Sequence, residues 1–209
     1  MKKITKLNKA CPQYLKHSFC RRGFTLIETL VAISIFTTSL LGIMSVLASS
    51  ISSTTYAKQK MVASYLAQEG IEFVRNMRDT YVLYDSTNTQ TGWNAFNAKL
   101  TSAGATCQTG CYFNNGNTNY ANHTQATYKS NLSLISCSSA SCTNGALLYD
   151  SSTGKYGFAS GTSSGFTRKV QTSVAGGGNE TDVTSTVTWK QGTASYSITF
   201  SEALFNWME

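Results

Sequence analysis

From Phe24 to Ala48 the chain reads FTLIETLVAISIFTTSLLGIMSVLA, 25 residues whose only formal charge is Glu28. As a helix this stretch rises about 37 Å, more than the roughly 30 Å hydrocarbon core of a bilayer. It therefore reads as a membrane-spanning helix and excludes any fold in which this segment is a surface helix of a water-soluble globule. A carboxylate at the centre of such a helix costs about 2.5–3.5 kcal/mol, and less near the interface. Glu28 then has two readings: it snorkels to the headgroups, or it finds a cationic partner once the helix is assembled.

Charge divides the chain at Gly23. Lys2, Lys3, Lys6, Lys9, Lys16, Arg21 and Arg22 are seven of the 17 basic residues, and no acid precedes them or lies between them. The other ten bases are matched by all ten acids, so everything after Gly23 has a formal side-chain charge of zero. Basicity is thus a property of the leader, which removes the main argument for nucleic-acid binding. Seven positive charges ahead of the apolar helix favour an N-terminus in the cytoplasm and a body on the other side of the membrane.

Arg21-Arg22-Gly23 followed by Phe24-Thr25-Leu26-Ile27-Glu28 resembles the processing site of type IV prepilins and the related type II secretion pseudopilins. In that family a prepilin peptidase cuts after the glycine on the cytoplasmic face and methylates the new N-terminus. The resemblance implies leader recognition through Arg21, Arg22 and Gly23, cleavage between Gly23 and Phe24, N-methylation of Phe24, and an assembly role for Glu28. An ordinary secretory signal has the opposite order, with its cleavage site after the apolar region. Leu66-Ala67-Gln68-Glu69-Gly70-Ile71-Glu72 resembles the stem of minor pilin-like sequences. Pro12 is the only proline, so the mature helix lacks the kink-forming proline of many major pilins.

Cys11 and Cys20 fall in the leader, leaving Cys107, Cys111, Cys137 and Cys142 in a body expected in an oxidising compartment. Three pairings are open. Proximity favours Cys107 with Cys111 and Cys137 with Cys142. Four thiolates in a tetrahedral zinc site are the alternative, with C-x3-C and C-x4-C spacings and compartment against it. No metal and no cofactor are expected. Asp85 and Asp150, with hydroxyl neighbours, are the nearest approach to calcium ligands, and turns account for both.

The apolar set Val62, Leu66, Phe73 and Met77 recurs at steps of four, seven and four, one face of an amphipathic helix expected to continue to Asp79. Five segments follow: a basic leader over 1–23, a membrane half-helix over 24–48, an amphipathic half over 49–79, a loop-rich, cysteine-bearing region over 80–145, and an antiparallel sheet over 146–209. Trp93, Phe96 and Leu100 predict one short helix in the loop-rich region. Period-2 alternation from Phe166 to Val174, Val183 to Trp189 and Ala194 to Phe200 predicts a three-stranded meander, preceded by a hairpin around Asp150–Lys155. The expected class is α+β and pilin-like: a long N-terminal helix packed on a C-terminal antiparallel sheet, with a loop-rich insertion.

Nothing in the sequence predicts an enzyme, and no catalytic residue is assigned. His123 is the only histidine after the leader, and no G-x-S-x-G, H-E-x-x-H or P-loop context is present. The resemblance implies a structural subunit, and Cys142 is followed by 67 residues without cysteine, unlike a major pilin that closes its C-terminus with a disulfide. A minor pilin of a type IV pilus-like filament is therefore expected. A type II secretion or competence pseudopilin is the alternative, and a freestanding single-pass adhesin a more distant one. Expected partners are the prepilin peptidase, other pilin subunits, the pilus assembly machinery and, before assembly, membrane lipid. The expected location is the bacterial inner membrane, single-pass, and then an extracellular or periplasmic filament.

Overall fold

The computed structural model describes residues 23–85, 87–102, 107–113, 132 and 134–206. The basic leader with Arg21 and Arg22, and His123, lie outside the described residues. The chain divides into two compact units, Met1–Ser50 and Ile51–Glu209. One helix, α1 (Leu26–Tyr84), contributes to both.

In the first unit every described residue is exposed. Leu26 is 82% and Leu41 71% accessible, values at odds with any buried face in water. This is the one described helix long and apolar enough to cross a membrane. Several of its hydroxyls are satisfied within the helix: Ser34, Thr37, Thr38 and Ser39 donate to the carbonyls of Val31, Ser34, Ser34 and Phe36 at 2.8–3.0 Å. Such back-bonding lets polar side chains enter hydrocarbon without stranding a donor.

The second unit has the core. From Ala63 to Val82, α1 buries Ala63, Leu66, Ala67, Gly70, Ile71, Phe73, Val74, Met77, Thr80, Tyr81 and Val82, a stripe at helical spacing. The helix continues past Asp79 to Tyr84 because Thr80, Tyr81 and Val82 stay buried, and burial outweighs their modest helix propensity. After Asp85, Asn88 caps α2 (Thr89–Thr101) by accepting from Thr91 N at 2.7 Å. Trp93, Phe96 and Leu100 form its buried face. A Cβ on Gly92 would lie 2.8 Å from Val82 Cα, so only glycine lets α2 lie against the end of α1.

The seven strands are β1 (Cys111–Phe113), β2 (Leu134–Ser136), β3 (Ala146–Asp150), β4 (Lys155–Gly157), β5 (Thr162–Val174), β6 (Glu180–Gln191) and β7 (Ala194–Phe205). β5, β6 and β7 form the antiparallel meander, in register from Phe166↔Trp189 to Val174↔Thr181 and from Glu180↔Phe205 to Gln191↔Ala194. The other edge of β5 takes β3 through Thr162, Ser163 and Thr167, and β1 through Val170. The β3–β4 hairpin and the antiparallel pair β1–β2 extend from those contacts. Phe166, Arg168, Val170 and Thr172 of β5 and Val183, Ser185, Val187 and Trp189 of β6 face the core under α1. Gly70 permits that closeness: a Cβ there would lie 3.0 Å from Ser185 Cβ.

The region over 80–145 holds α2, the β1–β2 pair and a 3-10 turn at Thr143–Gly145. Disulfides join Cys107 to Cys111 and Cys137 to Cys142, with Cα atoms 4.8 and 4.7 Å apart. Backbone bonds tie the first bridge to its surroundings: Cys107 N donates to Leu100 O at 2.9 Å and Thr172 N to Cys107 O at 3.0 Å. The bridged segment thus links α2 to β5. Arg168, with no exposed surface, is the other tie. Its Nη1 donates to Glu69 Oε2 at 2.5 Å and to Leu66 O at 3.4 Å, and its guanidinium lies 3.9 Å from the centre of the Phe113 ring. Phe113 stacks on Phe73 at 3.9 Å, so one cation joins α1, β1 and β5.

Candidate functional site

The start of α1 carries the chemistry singled out by the sequence. Gly23, Phe24 and Thr25 precede the helix and are exposed, Phe24 at 79%. Thr25 is its N-cap: Thr25 Oγ1 accepts from Glu28 N at 3.3 Å, and Thr25 O accepts from Thr29 N at 3.1 Å. Glu28 therefore stands at the third helical position, where a carboxylate interacts favourably with the positive end of the helix. Thr-x-x-Glu spacing is the sequence signature of this cap. Glu28 is exposed and has the only carboxylate between Gly23 and Ser50.

The fold itself makes no demand for glycine at position 23. A Cβ there meets nothing within 4 Å, and the same holds at Gly42. Among the described residues nothing packs against Gly23 that would require a bare backbone. Phe24 and Glu28 lie on either side of the cap, four residues apart, at one end of an unburied apolar helix. Arg21 and Arg22 lie outside the described residues.

The cysteines belong to the body. All four sulfurs are in disulfides, which leaves none as a thiolate ligand. Among the described residues no three His, Cys, Asp or Glu side chains gather to hold a metal ion. Asp150 is engaged in its turn, accepting from Ser152 N at 2.9 Å and Ser152 Oγ at 2.6 Å. Those bonds hold its carboxyl down at about 2, the Ser152 hydroxyl being the largest cause. Asp85 accepts from Thr87 N at 2.9 Å in the same kind of turn.

A family model described as the prokaryotic N-terminal methylation motif matches residues 19–44. No curated protein and no solved structure matches the chain. The match covers the glycine, the cap, Glu28 and most of the unburied apolar helix, and the body adds the α+β, pilin-like architecture. Together the motif and the α+β, pilin-like architecture support the type IV pilin family of prepilins and pseudopilins.

Proposed function

We propose that the chain is a minor pilin, built at low copy into a type IV pilus-like filament after removal of residues 1–23. The peptidase cuts Gly23–Phe24 on the cytoplasmic face, Phe24 is N-methylated, and Arg21, Arg22 and Gly23 are read as the leader signal. The helix over 24–48 then anchors the chain once across the inner membrane with the body outside. Glu28 acts in assembly: the amine created at Phe24 of one subunit is neutralised by the Glu28 carboxylate of a neighbour.

The observation that carries this reading is an apolar helix with no buried face among its described residues that bears a single acid, five residues beyond a glycine whose Cβ would meet no described atom. A minor rather than a major subunit is favoured by the disulfides. Both are local, and β5, β6 and β7 are held together with no disulfide closing the C-terminal end. N-terminal mass analysis tests the processing: filament-associated protein should begin at Phe24 with one added methyl group, and Gly23→Val should accumulate as precursor. Met1 retained in assembled filaments contradicts it.

A further inference from the structure

Among the described strands the sheet ends in β2, β4 and β7. β2 and β4 have three residues each and so offer few unpaired backbone groups, whereas β7 has 12. A long edge that is to stay single is ordinarily guarded by a proline, a lysine or a bulge. β7, ASYSITFSEALF, has neither proline nor lysine, and its register with β6 runs unbroken from Gln191↔Ala194 to Glu180↔Phe205. Gly192, with φ of 60°, and Thr193 make a two-residue turn, so Gln191 and Ala194 form a hydrogen-bonded pair. Asn206 N donating to Asn179 O at 2.9 Å keeps the same alternation at the far end. The even-numbered residues of β7 therefore bond to β6, and the N–H and C=O groups of Ser195, Ser197, Thr199, Ser201 and Ala203 point away from it.

Beside this edge α1 and β7 leave a groove of about 360 Å³, whose walls include Gln68, Ile71, Arg75, Phe200 and Glu202. Phe200 and its neighbours on the same face, Tyr196 and Ile198, are half-buried, so apolar surface continues along the strand. Arg75 donates to Glu202 through Nε at 3.2 Å and Nη2 at 2.5 Å, and it also pairs with Glu72. One guanidinium facing two carboxylates leaves the groove with a net negative charge.

We infer that the β7 edge and this groove together bind an extended segment of another protein, which adds to the sheet as a strand. The outward backbone groups of β7 bind its main chain, and its alternate side chains supply the specificity. Those turned towards α1 are apolar where they meet Ile198 and Phe200, and basic where they meet Glu72 and Glu202. Those turned the other way meet the exposed hydroxyls of Ser197, Thr199 and Ser201 and are small and polar. A second copy of this chain does not match: its β7 brings an acid and no base, and its β2 and β4 are too short to line the edge. The surface lies wholly within the unit Ile51–Glu209 and goes beyond the proposed filament role, which requires no such partner.

The test uses full-length protein in lipid nanodiscs and, as probe, a fluorescein-labelled peptide of alternating valine and threonine with one lysine among the valines. Its anisotropy should rise with the protein and not with empty nanodiscs. Thr199→Pro removes an outward N–H that β6 does not use, so the β6–β7 ladder persists. Peptide binding to that variant should fall about ten-fold or more, through the lost hydrogen bond and the ring's obstruction, whereas Thr199→Ala, which keeps the N–H, should bind as wild type. Glutamate in place of the peptide's lysine should also weaken binding about ten-fold. In amide exchange, Ser195, Ser197, Thr199, Ser201 and Ala203 should gain protection on binding, and Tyr196, Ile198 and Phe200, already in the ladder, should not. No binding to wild type, protection elsewhere, or binding unmoved by Thr199→Pro overturns the inference. Self-association of the protein that Thr199→Pro abolishes assigns the edge to a second copy and overturns it too. Should Thr199→Pro unfold the body, N-methylation of the peptide's edge-facing amides makes the same test from the other side, and unchanged binding of that peptide overturns the inference.

Discussion

In the proposed function Glu28 does two kinds of work, and side-chain chemistry separates them. As a third-position residue after Thr25 it supports the helix start, a role that Gln also fills. As a charge it has no cationic partner among the described residues, and the proposed function supplies one from a neighbouring subunit. Arg168 presents the reverse case, a cation with no exposed surface whose partner Glu69 is 41% exposed. Removing one member of a buried pair costs about 3–5 kcal/mol, mostly from stranding the other. Glu69→Gln should therefore destabilise the body by about 3 kcal/mol in urea unfolding, the low end because Glu69 reaches solvent. Glu72→Gln, which breaks only the exposed pair with Arg75, should cost under about 1 kcal/mol. Asp150 gives a pH test. Its carboxyl titrates lower in the fold than in the unfolded chain, so its stabilising contribution is present above about pH 4 and is lost as pH falls towards 2. An NMR titration of its carboxyl carbon should show a midpoint near 2, and Asp150→Asn should remove that pH dependence of the β3–β4 turn.

At the scale of elements, the helix–sheet contact turns on Gly70 and Ser185. Alanine at 70 improves helix propensity by up to about 1 kcal/mol yet drives a methyl into Ser185, and overpacking costs typically 1–3 kcal/mol. Gly70→Ala should lower stability, and Ser185→Gly in the same chain should recover part of the loss, a coupling that a double-mutant cycle in urea measures. Strong periodicity made the α1 stripe, the Trp93-Phe96-Leu100 helix and the three meander strands readable in advance, and the turn composition from Asp150 to Lys155 did the same for the β3–β4 hairpin. The β1–β2 pair was not readable, because its strands are three residues each and alternation over three residues carries no signal. Nor was the end of α1, where Thr80-Tyr81-Val82 looks more like strand than helix until burial is known. Phe166, Arg168, Val170 and Thr172 were read as one face. That an arginine on that face would be wholly buried depended on Glu69 and Phe113, both far away in sequence. At the candidate site the glycine, the acid and the apolar run were legible, whereas the N-cap at Thr25 emerged only from the hydrogen bonds.

For the whole molecule, the division at Ser50 separates a unit with no core from one with its own core, disulfides and sheet. The disulfides close loops of five and six residues, each worth only about 2 kcal/mol to the body in the chain-entropy model. Reduction should therefore loosen the β1–β2 region while the β5–β6–β7 meander persists, and amide exchange compared with and without reductant reports this directly. Glu28 lies in the unit without a core, so changing it should leave disulfide formation and the unfolding of the body unaltered. The most direct measurement of the central claim is the incorporation of tagged wild-type, Glu28→Gln and Glu28→Ala protein into filaments at equal membrane abundance. If Glu28 acts as a charge in assembly, both variants fall well below wild type, because Gln keeps the helix cap but cannot neutralise an amine. Wild-type incorporation of Glu28→Gln would contradict the account and leave Glu28 as a helix-capping residue alone.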